Sequence, residues 1–299
     1  MSVTAGAIAR KILGPRYTGY VRRLLRSRLA GLEWYLSVFA QKSGLEIGGP
    51  SPIFSEDGAI PIYSVLKSLD NCLFSRRTIW EGQVQEGLRF RYHALRPLGY
   101  QFVMEGSKLL AIGDSSYDCV LASHTLEHIA NPLQALKEWK RVSRKGGLLL
   151  LLLPHKDGTF DWRRPSTSLA HMIEDYSRSI GEDDLSHLSE VLELHDLRKD
   201  PPAGSFENFR LRCQENYVHR AMHHHVFDTP TAVAMLDYAG LQVLRIDHLK
   251  PFHIILVAQC SDQPPDNGAF LGPDAEYLRR SPFPSDHQTP AGMKACLRS

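Results

Sequence analysis

The run from Leu148 to Leu153, six leucines between Gly147 and Pro154, constrains this fold more than any other stretch. A strand with one wet face alternates apolar and polar residues, whereas a strand apolar at every position must be covered on both faces. Just upstream, Asn131 and Pro132 stand where a helix N-cap and first helical residue belong. Leu133, Leu136, Trp139 and Val142 then recur at helical spacing, and Lys145-Gly146-Gly147 marks the stop. A helix leading into a doubly buried strand is one unit of a helix-covered parallel sheet.

Similar units precede it. "LEIG" reads as a short buried strand, "YSVLKSLDNCLF" holds a second ending near Asp70, "YQFVMEG" a third ending at Glu105, and "YDCVLASH" a fourth. From about residue 155 to 226 the alternation lapses into a polar stretch rich in His, Asp, Glu and Arg, with helical segments. It returns with a helix capped by Asp228 and stopped at Gly240, followed by "LQVLRIDHL" and "FHIILVAQC", joined by a turn of hairpin length. Residues 5 to 40 read as helical, with Leu24, Leu25, Leu29, Leu32, Tyr35 and Leu36 at helical spacing and Arg22, Arg23, Arg26 and Arg28 largely elsewhere. Such a basic amphipathic helix either packs on the domain or rests on an anionic membrane surface; the pattern is generic, which favours packing. Residues 261–299, rich in Pro, Gly, Asp and Ser, read as a flexible tail. The expected organisation is a helical segment at 1–40, one domain over 41–260 with an insertion at 155–226, and the tail.

A net charge of +2 gives no basic field for nucleic acid. The five cysteines are odd in number, widely spaced and without a CxxC, as expected of reduced thiols in a cytoplasmic protein. No apolar run is long enough to span a bilayer, and no continuous apolar segment follows the N-terminal arginines as a signal peptide requires. A soluble protein without stable membrane insertion is expected; its oligomeric state is not encoded legibly.

Three acids, Glu46, Asp70 and Glu105, stand near the expected C-terminal ends of the first three strands, the edge beyond which open α/β sheets bind ligands. A carboxylate accepts two hydroxyl hydrogens at once, while phosphates would be repelled. Gly48 and Gly49 let the backbone approach a ligand closely. The set suits a nucleoside-like cofactor that is not anionic.

"LEIGGPSP", "SLDN", "EGSKL" and "SSYDCVLASHTLEHIANPLQALKEWKRVSRKGGLLLLLLP", in this order, resemble the class I (Rossmann-like) S-adenosylmethionine-dependent methyltransferases, and most of all their broad bacterial type 11 group. The resemblance covers residues 43–155 and 226–260. It implies an α/β fold: a seven-stranded, mostly parallel Rossmann-like sheet with an antiparallel last strand, an N-terminal helix and a helical, polar insertion after the fifth strand. It implies S-adenosyl-L-methionine as cofactor and S-adenosyl-L-homocysteine as product. Gly48, Gly49 and Pro50 would back the methionine part, and Asp70 with Asn71 would take the ribose. Glu105, Gly106 and Ser107 would border adenine, and Ser123 and His124 would face the methionine end, while Glu46 would order the glycine turn. Pro50 departs from the family, which usually has a second glycine there, so the turn must follow another path.

Methyl transfer needs alignment, exclusion of water and a base near neutrality. In "PHKDGTFDWRRP", His155, Asp157 and Asp161 are candidates for base or orienting group, and Arg163 and Arg164 for holding an anionic substrate group; the alternative is a loop of mutually paired ions. In "HRAMHHHVFD", an extended chain would put His223 and His225 on one face and His224 on the other. With His187 or His195 they could ligate a metal, but no spacing is diagnostic, so a polar pocket lining without metal is the reading carried forward. Glu127 and His128 are either helix-terminal groups or part of the site. His124 and His155 lead as base or orienting group, for O-methylation of a small molecule or sugar. The alternative is a catalytically silent protein of the same fold that binds a partner through its insertion.

Overall fold

The computed structural model describes residues 29–78 and 82–288. Helix α1 (Leu32–Phe39) precedes β1 (Ser43–Ile47) and β2 (Ser68–Leu73). A small ribbon, β3 (Arg77–Thr78) and β4 (Gly82–Gln83), leads to β5 (Gly87–Phe90), β6 (Gly99–Val103) and β7 (Tyr117–Ser123). Helix α2 (Pro132–Val142) runs into β8 (Ser143–Pro154). The insertion carries α3 (Leu169–Ser177), α4 (Leu188–Leu194), α5 (Phe206–Gln214) and α6 (Asn216–His219). The chain then returns through α7 (Thr229–Tyr238), β9 (Leu241–Leu249) and β10 (His253–Cys260).

The main sheet has eight strands in the order β5-β6-β2-β1-β7-β8-β10-β9, one more than expected. The extra strand is β5, antiparallel on the edge strand β6. It is four residues long with two exposed side chains, too short and polar to register as a strand by pattern. β10 is antiparallel to both β8 and β9, which makes the hairpin expected at the end of the chain. β1 pairs in parallel with β2 on one side and β7 on the other, so strand order reverses here and a crevice opens beyond their C-terminal ends.

The leucine run behaves as its composition requires. Leu149, Leu151 and Leu153 enter one apolar core with Trp139, Leu136 and Leu236. Leu148, Leu150 and Leu152 enter the other, with Phe39, Phe54 and Tyr63. Alternate side chains of a strand take opposite faces, so one homopolymeric stretch anchors both layers. Asn131 caps α2 by accepting from Gln134 N at 3.0 Å. Among the described residues no helix is long and apolar enough to cross a membrane.

Two expectations need correction. β2 does not end near Asp70 but continues to Leu73, so Asp70 lies mid-strand, paired with Leu45. At roughly 3.3 Å per residue that is about 10 Å short of the strand tip. Its carboxylate accepts from Tyr100 N and Tyr117 Oη, both at 2.7 Å, and so ties three strands together. The C-terminal stretch is not a loose tail through residue 288. Tyr277 and Phe283 are buried, and the buried Asp286 accepts from Thr229 N at 2.9 Å and Thr229 Oγ1 at 2.6 Å. Of the helix expected over residues 5 to 40, α1 is the part seen; its arginines, like residues 289–299, lie outside the described residues.

Candidate active site

The glycine turn is held from beneath. Glu46, fully buried, accepts from Ser51 N at 3.1 Å and from Tyr63 Oη at 2.7 Å, so it orders the turn. Asn71 reaches across from β2: its Oδ1 accepts from Gly49 N and its Nδ2 donates to Gly49 O, each at 2.9 Å. Asn71 is therefore a brace rather than a group facing a ligand. Gly48 has φ +85°, and a Cβ there would come within 2.4 Å of Thr125 Oγ1, so both conformation and space require glycine. The turn leaves through a cis Gly49–Pro50 peptide.

At the next tips the acids are not arranged as expected. β2 ends at Leu73, and Phe74 and Ser75 follow, with no carboxylate. Beyond β6, Glu105 stands at the tip, followed by Gly106, which has no room for a Cβ because it would meet Ile47 Cγ2 at 2.8 Å. Gly106 O accepts from Trp139 Nε1 at 2.9 Å, which fixes this loop to α2; Ser107 is buried beside it. Glu105 is engaged by Arg220 of the insertion at 2.7 and 3.2 Å, and the guanidinium lies over Phe74, 5.0 Å from the ring centroid. A second acid, Glu182, lies 2.8 Å from the same arginine. A cavity of about 370 Å³ is lined by Gly49, Pro50, Leu73 and Gln101 with residues of 83–91.

Beyond β7 the chain turns sharply. Ser123 ends the strand and His124 takes φ +52°, its Nε2 2.7 Å from His253 Nδ1. Three residues on, the buried Glu127 places Oε1 3.7 Å from His124 Nδ1 and 4.0 Å from His128 Nε2. Its other oxygen, Oε2, is buried and meets no hydrogen-bond donor. Burial opposes ionisation of Glu127, yet His124, His128 and His223 together hold its pKa below the ordinary carboxylate value. Burial pushes the His128 imidazole down to about 4.

His223 completes this group. Its Nδ1 lies 2.6 Å from Asp161 Oδ2, and its ring centroid 4.6 Å from that of His128. Burial works against the imidazolium of His223, but the Asp161 carboxylate outweighs it and raises the pKa. Asp161 itself is held at about 2: burial raises it, and the charges of His223 and Arg164 overcome that. An imidazole whose Nδ1 proton is held by a buried carboxylate presents Nε2 as the basic atom.

The other expected site residues fall elsewhere. His155 is fully buried; Nδ1 accepts from Asp157 N at 3.1 Å, Nε2 lies 3.0 Å from Asp286 Oδ1, and the ring stacks on Phe283. With both nitrogens occupied it anchors the C-terminal segment and has none left for a substrate. Asp157 accepts from Ser285 N and Oγ, at 2.7 and 2.5 Å, and does the same work. Arg164 is spent inside the fold, on Glu190 at 2.6 Å, Asp161 at 3.1 Å and the carbonyls of His223 and His224. Arg163 is more exposed, lying over Trp162 and 3.6 Å from Asp196. The three consecutive histidines separate: His223 joins Asp161, His224 Nε2 lies 3.1 Å from Asn216 Nδ2, and His225 Nε2 lies 3.1 Å from Ala130 O. They therefore do not line one shared face. His195 pairs with Asp200 at 3.2 Å, away from that set.

Arg220 and His253 were not singled out as functional from the sequence, and Glu127 was left open between a helix-terminal group and part of the site. The signal for Glu127 was present in "SHTLEH", where an acid lies between two histidines; Arg220 and His253 reach the tips only through the insertion and the final hairpin.

Residues 84–151 match the model of the family described as methyltransferase domain. No curated protein matches the chain. Among solved structures, an S-adenosylmethionine-dependent methyltransferase of Thermotoga maritima is 16% identical with a TM-score of 0.41, covering 85% of this chain and 99% of that one. A Burkholderia thailandensis 1,6-didemethyltoxoflavin-N1-methyltransferase is 10% identical with a TM-score of 0.41, covering 78% and 79%. A methyltransferase of Aquifex aeolicus is 12% identical with a TM-score of 0.38, covering 87% and 100%. At such scores and identities these three carry no argument, and the family match covers residues 84–151 alone.

Proposed function

We propose that this chain, which carries a class I, Rossmann-like domain of the S-adenosylmethionine-dependent methyltransferase kind, transfers the cofactor's methyl group to oxygen of a small molecule or sugar. One observation carries the reading: the buried Glu127 carboxylate, one oxygen without a donor, ringed by His124, His128 and His223 at the tip of β7, two residues from the Thr125 that packs on Gly48.

S-adenosylmethionine, when bound, supplies a methyl group already activated on a sulfonium sulfur. The residues fit it in part. Gly48 and Gly49 would bring bare backbone to the cofactor, Glu105 would offer a carboxylate to the nucleoside once released from Arg220, and Ser123 and His124 would stand toward the methionine end. The ribose carboxylate expected at Asp70 has no counterpart at the β2 tip, and the cavity beside Leu73 offers Gln101 and backbone groups in its place. His223 receives the acceptor's proton on Nε2 while Asp161 keeps Nδ1 protonated. Glu127 stabilises the imidazolium so formed. The insertion, folded over the tips through Arg220 and Glu105, excludes water from the acceptor.

A second reading, a catalytically silent protein that binds a partner through its insertion, draws support from the same ion pair. Arg220 already occupies the carboxylate that a nucleoside would use, and β2 provides no other. Transfer of labelled methyl from S-adenosylmethionine to a panel of hydroxyl-bearing sugars and phenols separates the two. Transfer abolished by His223→Gln supports the enzyme; binding of S-adenosylhomocysteine with no transfer to any acceptor supports the silent protein.

A further inference from the structure

Away from the strand tips, a second set of side chains converges where the insertion meets α2. His171 and Asp175 stand four residues apart on one face of α3, His187 precedes α4, and His225 comes from the returning chain. His171 Nε2 and His187 Nε2 are 3.1 Å apart. Asp175 Oδ2 lies 3.3 Å from His171 Nε2 and 3.8 Å from His225 Nε2. One donor atom from each of the four falls within 4.8 Å of all the others. Two nitrogens bound at about 2.1 Å to one tetrahedral ion stand about 3.4 Å apart, a few tenths of an ångström wider than the 3.1 Å of the histidine pair.

Hydrogen bonding leaves this cluster incomplete. Asp175 Oδ2 and His225 Nδ1 are both buried without a hydrogen-bond partner. Buried polar atoms are nearly always paired, and two orphans in one cluster of four call for a common cause. His225 is 1% exposed and its Nε2, the nitrogen 3.8 Å from Asp175 Oδ2, donates to Ala130 O, so the lone pair left to ligate sits on the unpartnered Nδ1 of the same ring. A backbone carbonyl that takes one ring N–H and leaves the other nitrogen as a lone pair is the usual outer-shell arrangement of a metal-ligating histidine. Asn131, the cap of α2, donates to Asp175 O at 3.1 Å and fixes that helix turn. A cavity of about 260 Å³, lined by Ser166, Ser168, His171, His187 and Glu190, gives an ion access from solvent.

We propose that His171, Asp175, His187 and His225 bind one divalent transition-metal ion, zinc by the donor set. Three imidazoles and a carboxylate suit a borderline-soft tetrahedral ion and disfavour calcium or magnesium, which take oxygen. Four protein ligands close the coordination, so the role is structural: the ion staples α3 and the start of α4 to the returning chain, and hydrogen bonds from His225 to Ala130 O and from Asn131 to Asp175 O link this set to the start of α2. The proposal does not depend on methyl transfer. It also replaces the expectation, from sequence alone, of a histidine lining without metal.

The test uses the full chain, stripped with chelator and titrated calorimetrically with zinc chloride, with cobalt(II) substitution read by visible absorption. Expected are one zinc per chain, the intense ligand-field bands of tetrahedral cobalt and a higher melting temperature with zinc. His171→Gln with His187→Gln is expected to weaken zinc at least about tenfold with an unchanged circular dichroism spectrum. The single His171→Gln change, at the most exposed ligand, serves if the double variant does not fold. His219→Gln, which touches only Glu215, should leave binding unchanged. No zinc uptake by the wild-type chain overturns the proposal. So does uptake that survives loss of His171 and His187 but is lost in His223→Gln, which would place the ion beside Glu127.

Discussion

His223 Nδ1 and Asp161 Oδ2 meet at 2.6 Å, although 62 residues separate them in sequence. Asp161 follows β8 and His223 lies on the path back to α7, so the insertion closes on itself beside His128. The carboxylate fixes the imidazole's tautomer and orientation. In the proposed mechanism Asp161 positions His223, and His223 accepts the proton.

Asp161→Asn should lower turnover by about 100-fold, within the range for general base catalysis, while affinity for S-adenosylhomocysteine stays within about twofold. Steady-state kinetics beside calorimetric titration separates this from a folding defect, which would lower both.

Asp70 and Glu105 should behave in opposite ways. Glu105→Ala removes the carboxylate at the β6 tip that the proposed site offers to the nucleoside, and should weaken S-adenosylhomocysteine binding about tenfold or more. Asp70→Ala should leave that affinity unchanged but destabilise the fold by about 1–3 kcal/mol, because Tyr100 N and Tyr117 Oη lose their acceptor. Denaturant melts and calorimetry on both variants check the pair.

The Asp286–His155 contact should prove structural. Both side chains are fully buried, so Asp286→Ala leaves an uncompensated imidazole and the Thr229 donors unmet. A loss of about 3–5 kcal/mol is expected in urea denaturation, with cofactor affinity retained in the remaining folded protein. A loose C-terminal tail would show no such effect.

How far the fold could be read differs from element to element. The β8 leucines and the capped α2 were legible because local pattern alone specifies a doubly buried strand and a helix start. β2 was cut short because Asp70-Asn71 reads as a strand end; only tertiary contacts, with Tyr117 and with Gly49, explain two polar residues mid-strand. The packing of residues 261–288 was illegible for a like reason: Asp286 and Ser285 are received by residues more than fifty positions upstream. In the site, His124 and the glycine turn follow from motif order. The roles of Arg164, His155 and the three consecutive histidines depend on partners that no local spacing reveals.

Glu182 should set a pH dependence of stability. Burial raises its pKa most; Arg220 pulls it down, Glu105 pushes it up again, and the result is about 7 against 4.5 unperturbed. Between those values the folded chain holds a proton that the unfolded chain has released, so stability falls as pH rises through this window. Glu182→Gln should flatten the dependence between about pH 4.5 and 7, as read from urea midpoints across the range. A wild-type profile rising with pH there, and unaltered by the variant, would contradict this assignment.

The central claim is that the crevice beyond β1, β6 and β7 holds the nucleoside cofactor, and thermal melting with S-adenosylhomocysteine tests it most directly. At a ligand concentration about 100 times Kd, a stabilisation of about 2.7 kcal/mol is expected in the wild-type chain, with most of it lost in Glu105→Ala. No shift at millimolar ligand, or a shift that Glu105→Ala leaves intact while Asp70→Ala abolishes it, would contradict the account.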